Sequence, residues 1–155
     1  MSQQSMSYGR TLNQAANRVS FDQVEVGQKL PELVIDVTAE QIVAGAMASR
    51  DYQDVHHDKD KAQALGSPDI FMNILTTNGL VGRFVTDWTG PQGMLKKVNI
   101  KLGAPNYPGD SMRLVGKVTE KQQKDDQNLV EVAVTGKNSM GSHVTGTVLV
   151  ALPLA

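Results

Sequence analysis

The stretch DIFMNILTTNGLVGRFVTDWTGP, Asp69–Pro91, decides how the rest of the chain is read. From Phe71 to Trp88, the residues Ile74, Leu75, Leu80, Val81, Phe84, Val85 and Trp88 recur at helical spacing and mark one broad apolar face. The remaining face is small rather than charged, with Thr76, Thr77, Asn78, Gly79 and Gly82. A glycine costs about 1 kcal/mol relative to alanine inside a helix. Two of them point to tight packing there, or to a backbone or ligand in close approach. Thr89-Gly90-Pro91 ends the segment.

On the C-terminal side the period changes from helix to strand. Met94–Leu102, Met112–Lys121, Leu129–Lys137 and His143–Leu152 are four strand candidates, with clean alternation at Val98, Ile100, Leu102 and at Val130, Val132, Val134. The turns between them, Pro105–Asp110, Lys124–Asn128 and Asn138–Gly141, have fitting chemistry and favour antiparallel meanders. On the N-terminal side, Leu33–Val37 reads as a short strand, preceded by Pro31 where a missing N–H does least harm. Thr38 and Gln41 have capping-box spacing. Ile42, Val43, Ala46 and Met47 then follow at helical spacing, in a helix ending near Ser49-Arg50. A brief helical turn over Lys59–Ala64 stops at Gly66-Ser67-Pro68. The order is strand, helix, loop, long helix, four strands. That is an α+β domain with one long helix across a single antiparallel sheet. It spans residues 21–155 with no repeat and no linker, behind a polar segment, 1–20, that is expected to be flexible.

Composition narrows the chemistry. The chain has 155 residues, with 16 acidic and 15 basic side chains, no cysteine, and three histidines: His56, His57 and His143. A domain of this size buries roughly 68–70% of its unfolded surface and needs no disulfide or metal staple. The absence of cysteine removes thiol nucleophiles, Fe–S clusters and Cys-type zinc sites, and three histidines leave little for a multi-His metal site. The balanced charge argues against nucleic-acid binding. The polar N-terminus lacks the apolar run of a signal peptide, and no stretch reaches about 18 apolar residues. A soluble, cytoplasmic protein is expected, with no membrane partner.

Arg50–Asp58, RDYQDVHHD, fits neither period and is rich in ionisable groups between two apolar helical segments. A loop can turn Asp51 and His56 into one cleft. A carboxylate with an imidazole suits general acid–base work. Composition alone allows a simpler reading, a solvated turn.

The run RDYQDVHHDKDKA, Arg50–Ala62, resembles the hydratase motif of MaoC-like proteins, hot-dog-fold (R)-specific enoyl-thioester hydratases and dehydratases. Asp51, His56, Asp58 and Ala62 occupy the motif positions, while Gln53-Asp54 stands where the family often has Asn-Pro. The order of elements matches the hot dog from about Val24 to the C-terminus. Together with Asp69–Pro91, the motif is similar to the small MaoC-like subunits of bacterial steroid side-chain hydratases. The resemblance implies an antiparallel sheet wrapped around one long central helix, with Asp51 and His56 as the catalytic pair. It further implies water addition to a trans-2-enoyl-CoA carrying a steroid-type acyl chain, with no metal or separate cofactor. The partner it implies is a larger MaoC-like subunit with an OB-type domain, in a heterodimer or heterotetramer. An oxyanion donor is implied at the start of the central helix, from the backbone N–H of Asn73 or Ile74. Here the chain departs from its relatives, with Met72-Asn73 at the place of a common His-Gly and Val81 at the place of a serine. A homodimeric hydratase for ordinary enoyl-CoA, and a non-catalytic subunit that shapes a partner's pocket, remain alternatives. His57 is expected to face solvent or an interface, His143 to be structural, and Trp88 to be a core or interface aromatic. Arg50 either tunes Asp51 by opposite charge or points to water.

Overall fold

The computed structural model describes residues 18–155. Residues 1–17, most of the segment expected to be flexible, lie outside them. The last two residues of that segment belong to the fold: the Val19 N–H donates to the Thr89 carbonyl at 3.3 Å, and Ser20 is buried.

The elements follow the expected order: β1 (Leu33–Asp36), α1 (Ala39–Ala48), α2 (Lys59–Ala64), α3 (Ile74–Thr89), β2 (Met94–Leu102), β3 (Ser111–Lys124), β4 (Gln127–Asn138) and β5 (Gly141–Ala151). The five strands form one antiparallel sheet in the order β1-β3-β4-β5-β2. Only β3-β4-β5 is a meander. Strand β2 pairs with β5, so the link Gly103–Asp110 must carry the chain past β5 and β4 to reach β3. The expected five-residue turn between β3 and β4 is shorter in the structure. Both strands extend, and only Asp125 and Asp126, each with positive φ (50° and 57°), remain between them. Positive φ at both central residues gives the twist that a two-residue hairpin needs.

One sheet face is apolar because the strands alternate. Met112, Leu114 and Val118 of β3 and Val130, Val132 and Val134 of β4 are buried with Val144, Val148 and Val150 of β5. Helix α3 lies on this face through Val81, Phe84, Val85 and Trp88. Two glycines make room: Gly116 of β3 sits under the Phe84 ring, and Gly136 of β4 under Val144 and Leu114.

The start and the apolar face of α3 differ from expectation. The helix begins at Ile74, with Asn73 as its N-cap, so Phe71 and Met72 belong to the extended approach. Ile74 and Leu75 are 49% and 50% exposed, while Thr77 is fully buried. Thr77 is tolerated there because its hydroxyl meets Nε2 of buried His143 at 2.9 Å, which satisfies both polar groups. A Cβ on Gly79 would meet nothing within 4 Å, and one on Gly82 only Leu95 at 3.5 Å. Among the described residues, no backbone from outside α3 therefore comes close at either glycine.

His143 is structural, as expected. Its Nδ1 donates to the Ala104 carbonyl at 2.6 Å, so Nε2 is the acceptor for Thr77. Burial pushes its pKa down from the ordinary 6.5, opposed by the Ala104 carbonyl. The unfolded chain thus binds a proton more readily than the folded one. The contribution to stability is complete above the ordinary value and is lost as pH falls from it through the folded value. Denaturation midpoints at pH 7.5 and 5.5 should therefore differ in the native chain, and the difference should shrink in His143→Gln.

Candidate active site

The site lies where α1 ends, α3 begins and the segment Arg50–Asp58 passes between them. Arg50 takes a left-handed conformation (φ 58°) directly after α1, which turns the chain sharply. The Asp51 N–H donates back to the Ala46 carbonyl at 2.9 Å and fixes the residue against the helix end. A short 3₁₀ turn, Asp54–His56, then brings His56 round to face Asp51. The motif's other members hold this turn in place. Asp58 caps α2 by accepting from the Lys61 N–H at 3.1 Å, and Ala62 is fully buried beneath it. Both act in the fold rather than facing the Asp51–His56 pair.

His56 is 5% exposed. Its Nδ1 lies 2.7 Å from the Phe71 carbonyl, and its ring stands edge-on to the Phe71 ring with centroids 5.0 Å apart. A carbonyl only accepts, so Nδ1 carries the hydrogen, and in the neutral ring Nε2 is the nitrogen with the lone pair. Nε2 faces Asp51 Oδ2 at 3.4 Å.

The Asp51 carboxyl is held below the usual carboxylate range. The leading cause is the Asn73 side-chain amide, which donates to Oδ2 at 3.0 Å. Burial opposes this, while the Gln53 N–H and the His56 charge assist. Arg50 is not among the causes. Asp51 is therefore an ionised acceptor beside the imidazole edge that carries Nε2. Atoms 3.4 Å apart leave no room for a water between them, so a water would lie beside the pair, against both groups.

The N–H groups of Asn73 and Ile74, the expected oxyanion donors, have no backbone acceptor among the described residues. They differ in access: Asn73 is 1% exposed, and Ile74 is half exposed. His57 does not join the pair. It is partly exposed and lies 3.6 Å from Asp54. Trp88 is buried in the core.

Three contacts were not foreseen from sequence: the Asn73 side chain on Asp51, Ser49 on Asn73, and the Phe71 carbonyl on His56. An Asn before a helical run is a cap signal and could have flagged the first. A backbone carbonyl leaves no such signal. Gly45 supports this cluster, because a Cβ there would fall on Thr76 Oγ1, deep inside van der Waals contact. Thr is stiff at χ1, so in Gly45→Ala the two helices must part. Overpacking costs about 1–3 kcal/mol, against an intrinsic helix gain of about 1 kcal/mol. The variant should lose a small net stability in chemical denaturation, together with activity, since Thr76 holds Asn73.

The family model for the MaoC-like domain matches residues 21–140. The chain belongs to the MaoC-like family. Across 79% of this chain and 92% of the relative, it is 50% identical over 123 residues to the 3-oxo-4,17-pregnadiene-20-carboxyl-CoA hydratase beta subunit of Mycobacterium tuberculosis. In the solved ChsH1–ChsH2 complex from the same organism, one chain superposes with a TM-score of 0.77 at 48% identity, covering 83% of this MaoC-like chain and 98% of that one. The (R)-hydratase PhaJ1 of Pseudomonas aeruginosa shares the fold at a TM-score of 0.80 and 21% identity, over 89% and 88% of the two chains. The sheet around α3 is thus the hot dog that the sequence led us to expect. No helix among the described residues is long and apolar enough to cross a membrane.

Proposed function

We propose that this chain is the catalytic small subunit of an enoyl-CoA hydratase that adds water to a steroid-type trans-2-enoyl-CoA during side-chain degradation. The observation that carries the reading is the Asp51–His56 pair, a carboxylate oxygen and an imidazole nitrogen 3.4 Å apart on two little-exposed side chains. A water seated against both is deprotonated by one of the two as its oxygen attacks C3. A proton returns to C2, so the double bond gains one water in all. Negative charge develops on the thioester oxygen, and the Ile74 N–H at the start of α3 is our choice of donor. Its reach and the helix dipole favour it over the enclosed Asn73 N–H. One such donor lowers the barrier by about 3–4 kcal/mol. Coenzyme A arrives as part of the substrate, and no further cofactor takes part. An acyl-CoA substrate of this kind supports a cytoplasmic reading.

The steroid acyl group and the partner are carried over from the pregnadiene-carboxyl-CoA hydratase subunit and from the two-component complex. One feature of this chain supports a partner. Exposed apolar side chains gather at the start of α3 (Ile74, Leu75) and on the free edge strand β2 (Met94, Leu95). An uncovered edge with apolar residues beside it calls for a second chain. We take that chain to be a larger MaoC-like subunit with an OB-type domain.

The test is a hydration assay with steroid enoyl-CoA and with crotonyl-CoA, run with and without such a larger subunit. Steroid hydration should need both chains. Rapid hydration of crotonyl-CoA by this chain alone would favour a homodimer for ordinary substrates instead.

A further inference from the structure

Asn73 is buried, and both polar atoms of its side chain are engaged. Oδ1 accepts from the Thr76 N–H at 2.9 Å and from the Thr76 hydroxyl at 2.6 Å. Nδ2 donates to Asp51 Oδ2 and to Ser49 Oγ, both at 3.0 Å. The Thr76 N–H can only donate, so the oxygen must face it, and the NH₂ end must face Asp51. The amide has no second orientation that keeps these bonds.

The bonds run on from there. Ser49 Oγ donates to the Gly45 carbonyl at 2.7 Å, in the last turn of α1. One buried amide therefore joins the end of α1, the carboxylate of Asp51 and the start of α3. The oxygen it holds, Oδ2, is the one that faces His56 Nε2. Its sister oxygen, Oδ1, takes the Gln53 N–H at 3.4 Å. Rotating the carboxylate breaks both contacts.

We propose that the Asn73 side chain is the positioning residue of this site, holding Asp51 Oδ2 in line with His56 and tying it to the helix start that offers the Ile74 N–H. This rests on the hydratase reading above and adds a residue to it. Asn73 acts through Asp51 and need not touch substrate. The donor amide also explains why the carboxyl of Asp51, despite its burial, is held below the usual range.

Two variants separate positioning from mere support of the fold. Asn73→Ser keeps an equally good N-cap and removes the donor to Asp51. Asn73→Asp also keeps a cap but sets a second carboxylate against the first. Two readouts apply to each: steady-state hydration by the assembled enzyme, and the titration of ¹³C-labelled aspartate carboxyls without substrate, with Asp51→Asn identifying the Asp51 signal. A hydrogen bond to a charged group is commonly worth a factor of ten or more. In Asn73→Ser we expect kcat to fall about tenfold or more, KM to stay within about twofold, and the Asp51 midpoint to rise by about one unit. In Asn73→Asp the two carboxylates share a proton. The upper midpoint should rise well above the ordinary carboxylate value, and activity should return only as pH is raised past it. If the serine variant fails to fold, the aspartate variant gives the same decision. An Asp51 midpoint unchanged from the native protein in the folded variants overturns the proposal. Full hydration by Asp51→Asn is a different result: it overturns the hydratase reading, and with it any catalytic use of the contact.

Discussion

His56→Ala is expected to lower hydration by about a hundred- to ten-thousand-fold, the usual contribution of a positioned acid–base group. The imidazole is fixed by the Phe71 carbonyl on one nitrogen and turned to Asp51 by the other. Alanine removes the reacting nitrogen and leaves the rest of the acyl-CoA surface intact, so the loss should fall on kcat more than on KM. It also leaves the Phe71 carbonyl without its partner, at about 1–3 kcal/mol of stability. His56→Gln, which can still offer an N–H to that carbonyl, separates lost chemistry from lost folding. Asp51→Asn should be as inactive as His56→Ala. With its oxygen in the place of Oδ2 the asparagine still accepts from Asn73 Nδ2, and only the long contact from the Gln53 N–H is given up, so the fold is kept while the anion is gone. Steady-state kinetics with circular dichroism on each variant decides the matter.

Phe84→Ala should be among the most destabilising single changes in the chain, at about 3–5 kcal/mol. The ring is 3% exposed and lies between α3 and the sheet. Beneath it β3 has Gly116, whose added Cβ would sit 2.7 Å from the ring's Cε1. The ring thus fills the space that the glycine leaves. Alanine would put two small residues opposite each other, and the cavity cannot close unless α3 sinks toward the sheet. For a chain of this size, each kcal/mol shifts Tm by about 2–4 °C, so a fall of roughly 10 °C is expected in a thermal or urea melt. Because α3 carries Asn73 and Ile74 at its start, residual activity should drop as well. Gly116→Ala tests the same contact from the other side, by pushing the ring instead of removing it.

Much of this architecture could be read from the chain because its signals are local. Lys59–Ala64 is followed by the stop Gly66-Ser67-Pro68, and α2 occupies those residues. Thr38 caps α1 as its spacing implied, accepting from the Gln41 N–H at 3.0 Å; the reciprocal half of the box is missing, since Gln41 Oε1 is buried without a partner. The strand order was not legible, because pairing β2 with β5 is a long-range choice that alternation along one strand does not reveal. The apolar face of α3 was misread at Ile74 and Leu75 for a related reason. Their spacing is helical, but the face they occupy points away from this chain's own sheet, as their exposure shows.

The site divides in the same way. Residue types and spacing alone left Asp51 and His56 readable as a solvated turn, and the resemblance of Arg50–Ala62 to the hydratase motif is what singled them out. Nothing local says that Asn73, far along the chain, supplies the donor to Asp51, or that a main-chain carbonyl at Phe71 sets the imidazole's hydrogen. Those contacts exist only once α1 and α3 have met, and Gly45 is the residue that lets them meet so closely.

The most direct measurement takes the assembled two-chain enzyme with Asp51→Asn and His56→Gln together in this chain and an unaltered larger subunit. Assembly is checked by sedimentation, and hydration of the steroid enoyl-CoA is followed in H₂¹⁸O. We expect an intact complex that incorporates no ¹⁸O at C3 above the uncatalysed background. An intact complex that labels C3 at the native rate would contradict a catalytic role for this chain and move the chemistry to its partner.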